Sequence, residues 1–145
     1  MTHTRVPGCE LCELAASRVV ENDKFAVILA DDANYPGFAR VIWKDHVREV
    51  SDLADEDRLL LNDAVWQLEQ AVREAMQPLK VNVASLGNVV PHLHWHVIPR
   101  YEDDAHFPTP VWAQAVRATE PAVLDERRGR VAELVGAIER KFGKR

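Results

Sequence analysis

The stretch Pro91-His92-Leu93-His94-Trp95-His96-Val97-Ile98-Pro99-Arg100 sets three histidines at i, i+2 and i+4 with apolar residues between them. In a strand, successive side chains point to opposite faces. His92, His94 and His96 therefore share one face, and Leu93, Trp95 and Val97 the other. The apolar face can pack into a core, while the other presents three imidazoles able to titrate near neutral pH. Three of the six histidines in the chain falling on one side of one strand is more than surface decoration. Two chemistries fit the pattern: the trio binds a metal, or one imidazole is a nucleophile assisted by the others.

The two cysteines form Cys9-Glu10-Leu11-Cys12. This spacing is either redox-active or half of a zinc site, which needs two further ligands. A structural disulfide is disfavoured in a reducing compartment.

The rest of the chain must position these groups. A helical turn over residues 13–16 and a short strand over 18–20 lead into a turn at 21–24. Residues 25–30 form an apolar run of strand length. A loop containing Asp31, Asp32 and Pro36-Gly37 then returns the chain into a strand over 38–43, which pairs with the preceding one as a hairpin. An acidic stretch, 51–57, opens a long helix that runs to about Gln77 and stops at Pro78. Leu61, Ala64, Val65, Leu68, Val72 and Ala75 form its apolar stripe, with Trp66 at the edge as a partly buried aromatic or a subunit contact. Residues 80–85 read as a strand and 86–91 as a loop before the histidine strand. An irregular, proline-containing segment, 101–121, carries His106 and Trp112. Asp125 is expected to cap a final helix over residues 126–141, weakened by Gly129 and Gly136. Strands, one long helix, strands and a tail helix predict an α+β fold with a mainly antiparallel sheet of about five strands, not alternating βαβ units.

A chain of 145 residues with 47% hydrophobic and 28% charged content fits one domain, 1–145, with a real core. The net charge of −5 argues against binding long nucleic acids, though it leaves room for a small nucleotide. No stretch approaches the roughly 18 apolar residues of a membrane span. The N-terminal residues show no apolar signal region, so a cytoplasmic protein is expected. No glycine-rich phosphate loop is present.

His92-Leu93-His94-Trp95-His96-Val97-Ile98 resembles the His-φ-His-φ-His-φ-φ signature of the histidine triad superfamily, where φ is apolar. Residues 37–46 resemble that family's first hairpin, and the Cys9/Cys12 pair resembles the N-terminal pair of its zinc-containing bacterial members. Asn82 and Gly87-Asn88 sit where its phosphate-side loop lies. The resemblance covers roughly residues 9–112 and leaves 113–145 as an extension. It implies a homodimer whose sheets join across a two-fold axis and a purine nucleoside phosphate as ligand. The implied reaction is hydrolysis or transfer at an α-phosphate through a nucleotidyl-histidine intermediate.

On that resemblance His94 matches the nucleophile, and a neutral imidazole attacks phosphorus near pH 7 without deprotonating a hydroxyl. His96, two residues on, can contact phosphate oxygens or help deliver a proton to the leaving group. Asn82 would orient the phosphate. The backbone N–H groups of Gly87, Asn88 and Val89 would stabilise developing charge, together with the Asn88 amide. Asp31 or Asp32 would accept the ribose hydroxyls, although both also suit a plain hairpin-capping loop. Cys9, Cys12, His46 and His92 would form a closed, structural Cys2His2 zinc site.

Phe38 stands where the family often has His, Asn88 where Gln is common, and Trp43 where Pro is common. His106 and Trp112 fall where family members often place specificity residues. Expected substrates are adenosine phosphoramidates, dinucleoside polyphosphates or acyl-adenylates. Three rivals stand beside this reading. One is a metal-dependent hydrolase using all three histidines as ligands. The others are a nucleotide-binding or scaffold protein with little turnover, and a redox role for the cysteines.

Overall fold

The computed structural model describes residues 3–143. Five strands form one antiparallel sheet in the order β1-β2-β3-β5-β4. They are β1 (Val20–Glu21), β2 (Phe25–Leu29), β3 (Ala39–Trp43), β4 (Lys80–Ala84) and β5 (His94–Arg100). The hairpin of β2 and β3 pairs Val27 with Val41, and β3 in turn pairs with the histidine strand, Arg40 opposite His96 and Ile42 opposite His94. β4 closes the other side of β5, with Asn82 opposite Ile98 and Ala84 opposite His96.

This register separates two faces. Phe25, Val27, Val41, Trp43, Leu93 and Val97 enter the main core together with the long helix α1 (Asp55–Met76). Arg40, Ile42, His94, His96 and Asn82 take the opposite face by the same alternation. A charge-rich helix such as α1 forms because Leu61, Ala64, Leu68, Ala71, Val72 and Ala75 bury along one stripe at three- and four-residue intervals. Asp55, Glu56 and Asp57 favour its N-terminus, and Gln77 ends it in the left-handed conformation, at φ 48°, just before Pro78.

The loop joining β2 and β3 turns at Pro36-Gly37, where the Phe38 N–H donates to the Tyr35 carbonyl over 3.1 Å. Gly37 has φ 88°, and a Cβ there would lie 2.8 Å from the Met76 side chain. The turn and the close approach of α1 both require glycine at this position.

Several expectations are corrected. The helical turn expected over 13–16 closes earlier, where the Glu13 N–H donates to the Cys9 carbonyl. The acidic stretch opening at Ser51 divides into a 3-10 turn, Val50–Asp52, and α1, because the Asp52 carboxylate accepts the N–H groups of Arg48 and Glu49 and caps the short turn separately. The tail is two helices, α2 (Pro121–Gly129) and α3 (Val131–Phe142). Asp125 is not its cap: the tail starts at Pro121, whose missing N–H costs nothing in a first turn, and Gly129 ends the first helix. Asp125 lies inside α2, paired with Arg128. α3 packs Leu134, Ala137, Ile138 and Phe142 into the core beside α1, so the tail is part of the fold. Among the described residues, no helix is long and apolar enough to cross a membrane.

Candidate functional site

The three histidines do not share one strand. β5 begins at His94, and His92 lies in the segment just before it. The Leu93 N–H donates to the Val47 carbonyl and the Trp43 N–H to the Leu93 carbonyl, which turns His92 fully into the protein. His92 Nε2–H donates to the Trp43 carbonyl over 2.5 Å, so its Nδ1 is left with a lone pair. That Nδ1 lies 3.5 Å from Cys9 Sγ, 3.4 Å from Cys12 Sγ and 3.2 Å from His46 Nδ1. Cys12 Sγ is 3.3 Å from His46 Nδ1. The four donor atoms all lie within 4.8 Å of one another.

Two thiols and two imidazoles converging in this way can hold a metal. A tetrahedral ion with nitrogen at about 2.0–2.1 Å and sulfur at about 2.3 Å would space its ligands about 3.3–3.8 Å apart, close to the observed separations. Burial lowers the pKa of His92 and so favours the neutral imidazole a metal needs, the Trp43 hydrogen bond acting against this. Burial raises the Cys12 thiol, partly offset by the Val6 N–H. The same N-terminal segment is tied to the hairpin by His3 Nδ1 and the Thr4 N–H on the Asp45 carboxylate, at 2.9 and 3.0 Å.

His94 and His96 stay apart from this cluster, on the sheet face away from the core. His94 Nδ1–H donates to the His92 carbonyl over 2.5 Å, which leaves Nε2 unprotonated in the neutral ring. Ser85 Oγ donates to the His94 carbonyl over 2.8 Å and fixes the strand from the other side. The His96 ring is boxed by three others: His94 at 4.9 Å between centroids, Trp112 at 5.2 Å and Phe38 at 5.7 Å. Burial first, then the His94 and Arg40 charges, push its pKa down to about 4. Arg40 Nε–H donates to His96 Nδ1 over 3.3 Å.

His94, His96 and Trp112 line one cavity of about 330 Å³ with the loop of residues 86–90. Gly87 holds φ 75° there, and Val89 at its tip is 93% exposed. The N–H groups of Gly87, Asn88 and Val89 have no protein acceptor among the described residues. The arrangement joins an imidazole lone pair, a second ring and a row of open backbone donors.

Of the remaining expected residues, Trp112 lines this cavity and Asp31, Asp32, Asn82 and His106 do not. Asp31 is exposed, whereas Asp32 is half-buried and its charge acts on Arg40. Asp32 also accepts the Asn34 N–H over 3.0 Å, the loop-capping role open to it from the start. Asn82 shares the histidine face, but its Oδ1 is already engaged by Arg100 Nη1 at 2.6 Å. His106 Nδ1 is 2.6 Å from the Tyr35 hydroxyl, which donates to Asp104 at 3.0 Å. Trp112, half exposed, reaches the histidines, and His106 serves the network that holds its loop.

That network was not anticipated. Asp104 accepts Arg100 Nε and Nη2 at 2.8 and 3.2 Å, and the N–H groups of Tyr101, His106 and Phe107 at 2.7–3.0 Å. Burial pushes its carboxyl upward, and these donors overcome that to hold it at about 2. Arg40 was also missed. The available signal was a lone charged residue inside the otherwise apolar strand Ala39–Trp43.

A family model described as HIT domain matches residues 12–103. The chain belongs to the HIT family. It is 28% identical over 104 residues to the HIT-family relative called Protein hit, from Bacillus subtilis, spanning 65% of this chain and 72% of that one. A histidine triad protein from Bradyrhizobium japonicum superposes with a TM-score of 0.73 at 27% identity, covering 97% of this chain and 98% of that one. A zinc-bound histidine triad family protein from Mycobacterium smegmatis shares the fold at 20% identity, with a TM-score of 0.60 and coverage of 94% and 95%. The HIT fold and the triad expected from the sequence are therefore both present, with the triad divided between two centres.

Proposed function

We propose that this HIT protein is a nucleotide hydrolase or transferase that cleaves at the α-phosphate of a nucleoside phosphate derivative, with His94 as the nucleophile. One observation carries the reading. The His92 carbonyl holds the His94 ring proton on Nδ1, so an Nε2 lone pair is ready beside an open cavity. In the forward step that lone pair forms an N–P bond. The bond from phosphorus to the leaving group breaks, and its electron pair departs with that group. The N–H groups of Gly87, Asn88 and Val89, the Asn88 amide and His96 would meet the phosphoryl oxygens. Water then breaks the N–P bond and frees the nucleotide. Of the two aspartates, half-buried Asp32 is the better candidate for the ribose hydroxyls. Asn82, held by Arg100, would orient phosphate through its amide N–H groups.

Cys9, Cys12, His46 and His92 would hold a structural zinc ion, as their spacing and donor set support, and a zinc-bound member of this fold exists. An ion held there would tie the N-terminal segment to the chain after β3 and to the segment before β5. The rival in which all three histidines hold a catalytic metal finds no support, since His92 turns into the cysteine pair while His94 Nδ1 is spent on a carbonyl. The protein would be a homodimer. β4 is an edge strand, and Val83 on it and Trp66 on α1 are exposed apolar groups suited to a two-fold contact.

Purified protein incubated with an adenosine phosphoramidate and with diadenosine polyphosphates should release AMP, and a His94→Asn variant should bind nucleotide without releasing it. Turnover retained by His94→Asn removes the nucleophile assignment. Nucleotide binding without AMP from any of these substrates favours a binding role.

A further inference from the structure

We propose that Arg40 is a positioning residue that fixes the ring proton of His96 on Nε2 and so makes His96 a neutral hydrogen-bond donor to the phosphate oxygens. The inference rests on the reading of His94 as a nucleophile toward phosphorus.

Arg40 and His96 are direct cross-strand partners on the sheet face away from the main core, flanked by the buried Ile28 and Ile42. A guanidinium only donates and stays protonated. Its Nε–H points at His96 Nδ1 over 3.3 Å, so that nitrogen must offer a lone pair. A proton on Nδ1 would set two donors against each other, which excludes both the other neutral tautomer and the imidazolium. Arg40 is itself held, with its guanidinium 5.2 Å from the Phe38 ring centroid and within reach of the Asp32 charge. Phe38, Trp112 and His94 wall the His96 ring and limit its rotation. The depressed pKa of His96 agrees with a neutral ring.

The two neighbouring rings are thus set in opposite senses. His94 is protonated on Nδ1 and presents a bare Nε2, whereas His96 is bare on Nδ1 and presents Nε2–H. A neutral imidazole that already accepts on Nδ1 keeps its Nε2 proton throughout the step. As the N–P bond forms and the leaving group departs with its electron pair, His96 stabilises charge on the phosphoryl oxygens and delivers no proton to the leaving group.

Imidazole tautomers can be read by long-range 1H–15N correlation on the full-length, metal-loaded protein, with His96→Gln to assign the signals. In the unmodified protein His96 should show a pyridine-type Nδ1 and a protonated Nε2. Arg40→Leu should mix the tautomers, and Arg40→Lys, which keeps a charged donor, should restore the single form. In parallel, AMP release from aryl esters of AMP with phenols of graded acidity should fall at least about tenfold in Arg40→Leu, equally across the series. A loss that grows with leaving-group basicity overturns the proposal, because it makes His96 a proton donor. So does an unchanged His96 tautomer in a folded Arg40→Leu protein. Unmodified protein that releases no AMP defeats the hydrolase reading instead, and the tautomer result then stands alone.

Discussion

His92 contributes to both centres at once: its Nδ1 faces the cysteine pair, and its carbonyl oxygen accepts His94 Nδ1–H over 2.5 Å. A metal held by the His92 ring would therefore stiffen the backbone group that orients His94. It would act on the His94 ring through one residue's main chain, without touching it.

Metal removal should follow from that link. The loaded protein should contain one zinc per chain, lost in Cys12→Ser. Chelation should lower the thermal midpoint clearly, since structural zinc binding couples directly to folding. AMP release should decline only in part. Complete and immediate loss of activity from a chelated protein that keeps its midpoint would indicate metal-assisted chemistry instead.

His96 should make stability depend on pH. Its ordinary value is 6.5, and the folded protein holds it at about 4. Between these values the unfolded chain binds the extra proton and the folded one does not. The contribution is complete above about 6.5 and is lost as pH falls toward about 4, on the order of 3 kcal/mol in total. Urea midpoints at several pH values should therefore fall more steeply in acid for the unmodified protein than for His96→Asn. Parallel pH profiles would show that His96 is not the group responsible.

Asp104→Ala should be among the costliest single substitutions. It removes the carboxylate paired with the buried guanidinium of Arg100, which keeps only the neutral acceptors Asn82 Oδ1 and the Thr109 carbonyl, and deprives the Tyr101, His106 and Phe107 N–H groups of their acceptor. Removing one partner of a buried ion pair costs about 3–5 kcal/mol. Chemical denaturation measures this directly, and a loss below about 1 kcal/mol would show that water replaces the carboxylate.

Trp112→Ala separates binding from stability. The ring is half exposed and covers His96, so its loss should raise KM several-fold and leave stability within about 0.5 kcal/mol. An unchanged KM would remove Trp112 from the substrate site.

The sequence by itself determined the α+β class, the strand and helix order, the CxxC pair and the histidine repeat, because these depend on alternation and spacing within a few residues. It could not decide the boundary at His94, the division of the tail at Arg130 or the early turn at Cys9, where one or two hydrogen bonds set the limit. Only the tertiary structure split the triad, turning His92 toward Cys9, Cys12 and His46 while His94 and His96 line the cavity beside the 86–90 loop. It also brought Arg40 against His96 and placed Asp104 at the centre of a buried network. The physical reason is range: Cys9 and His92, 83 residues apart, meet through the packing of segments outside the strands, and Arg40 meets His96 through cross-strand register, neither of which local periodicity encodes.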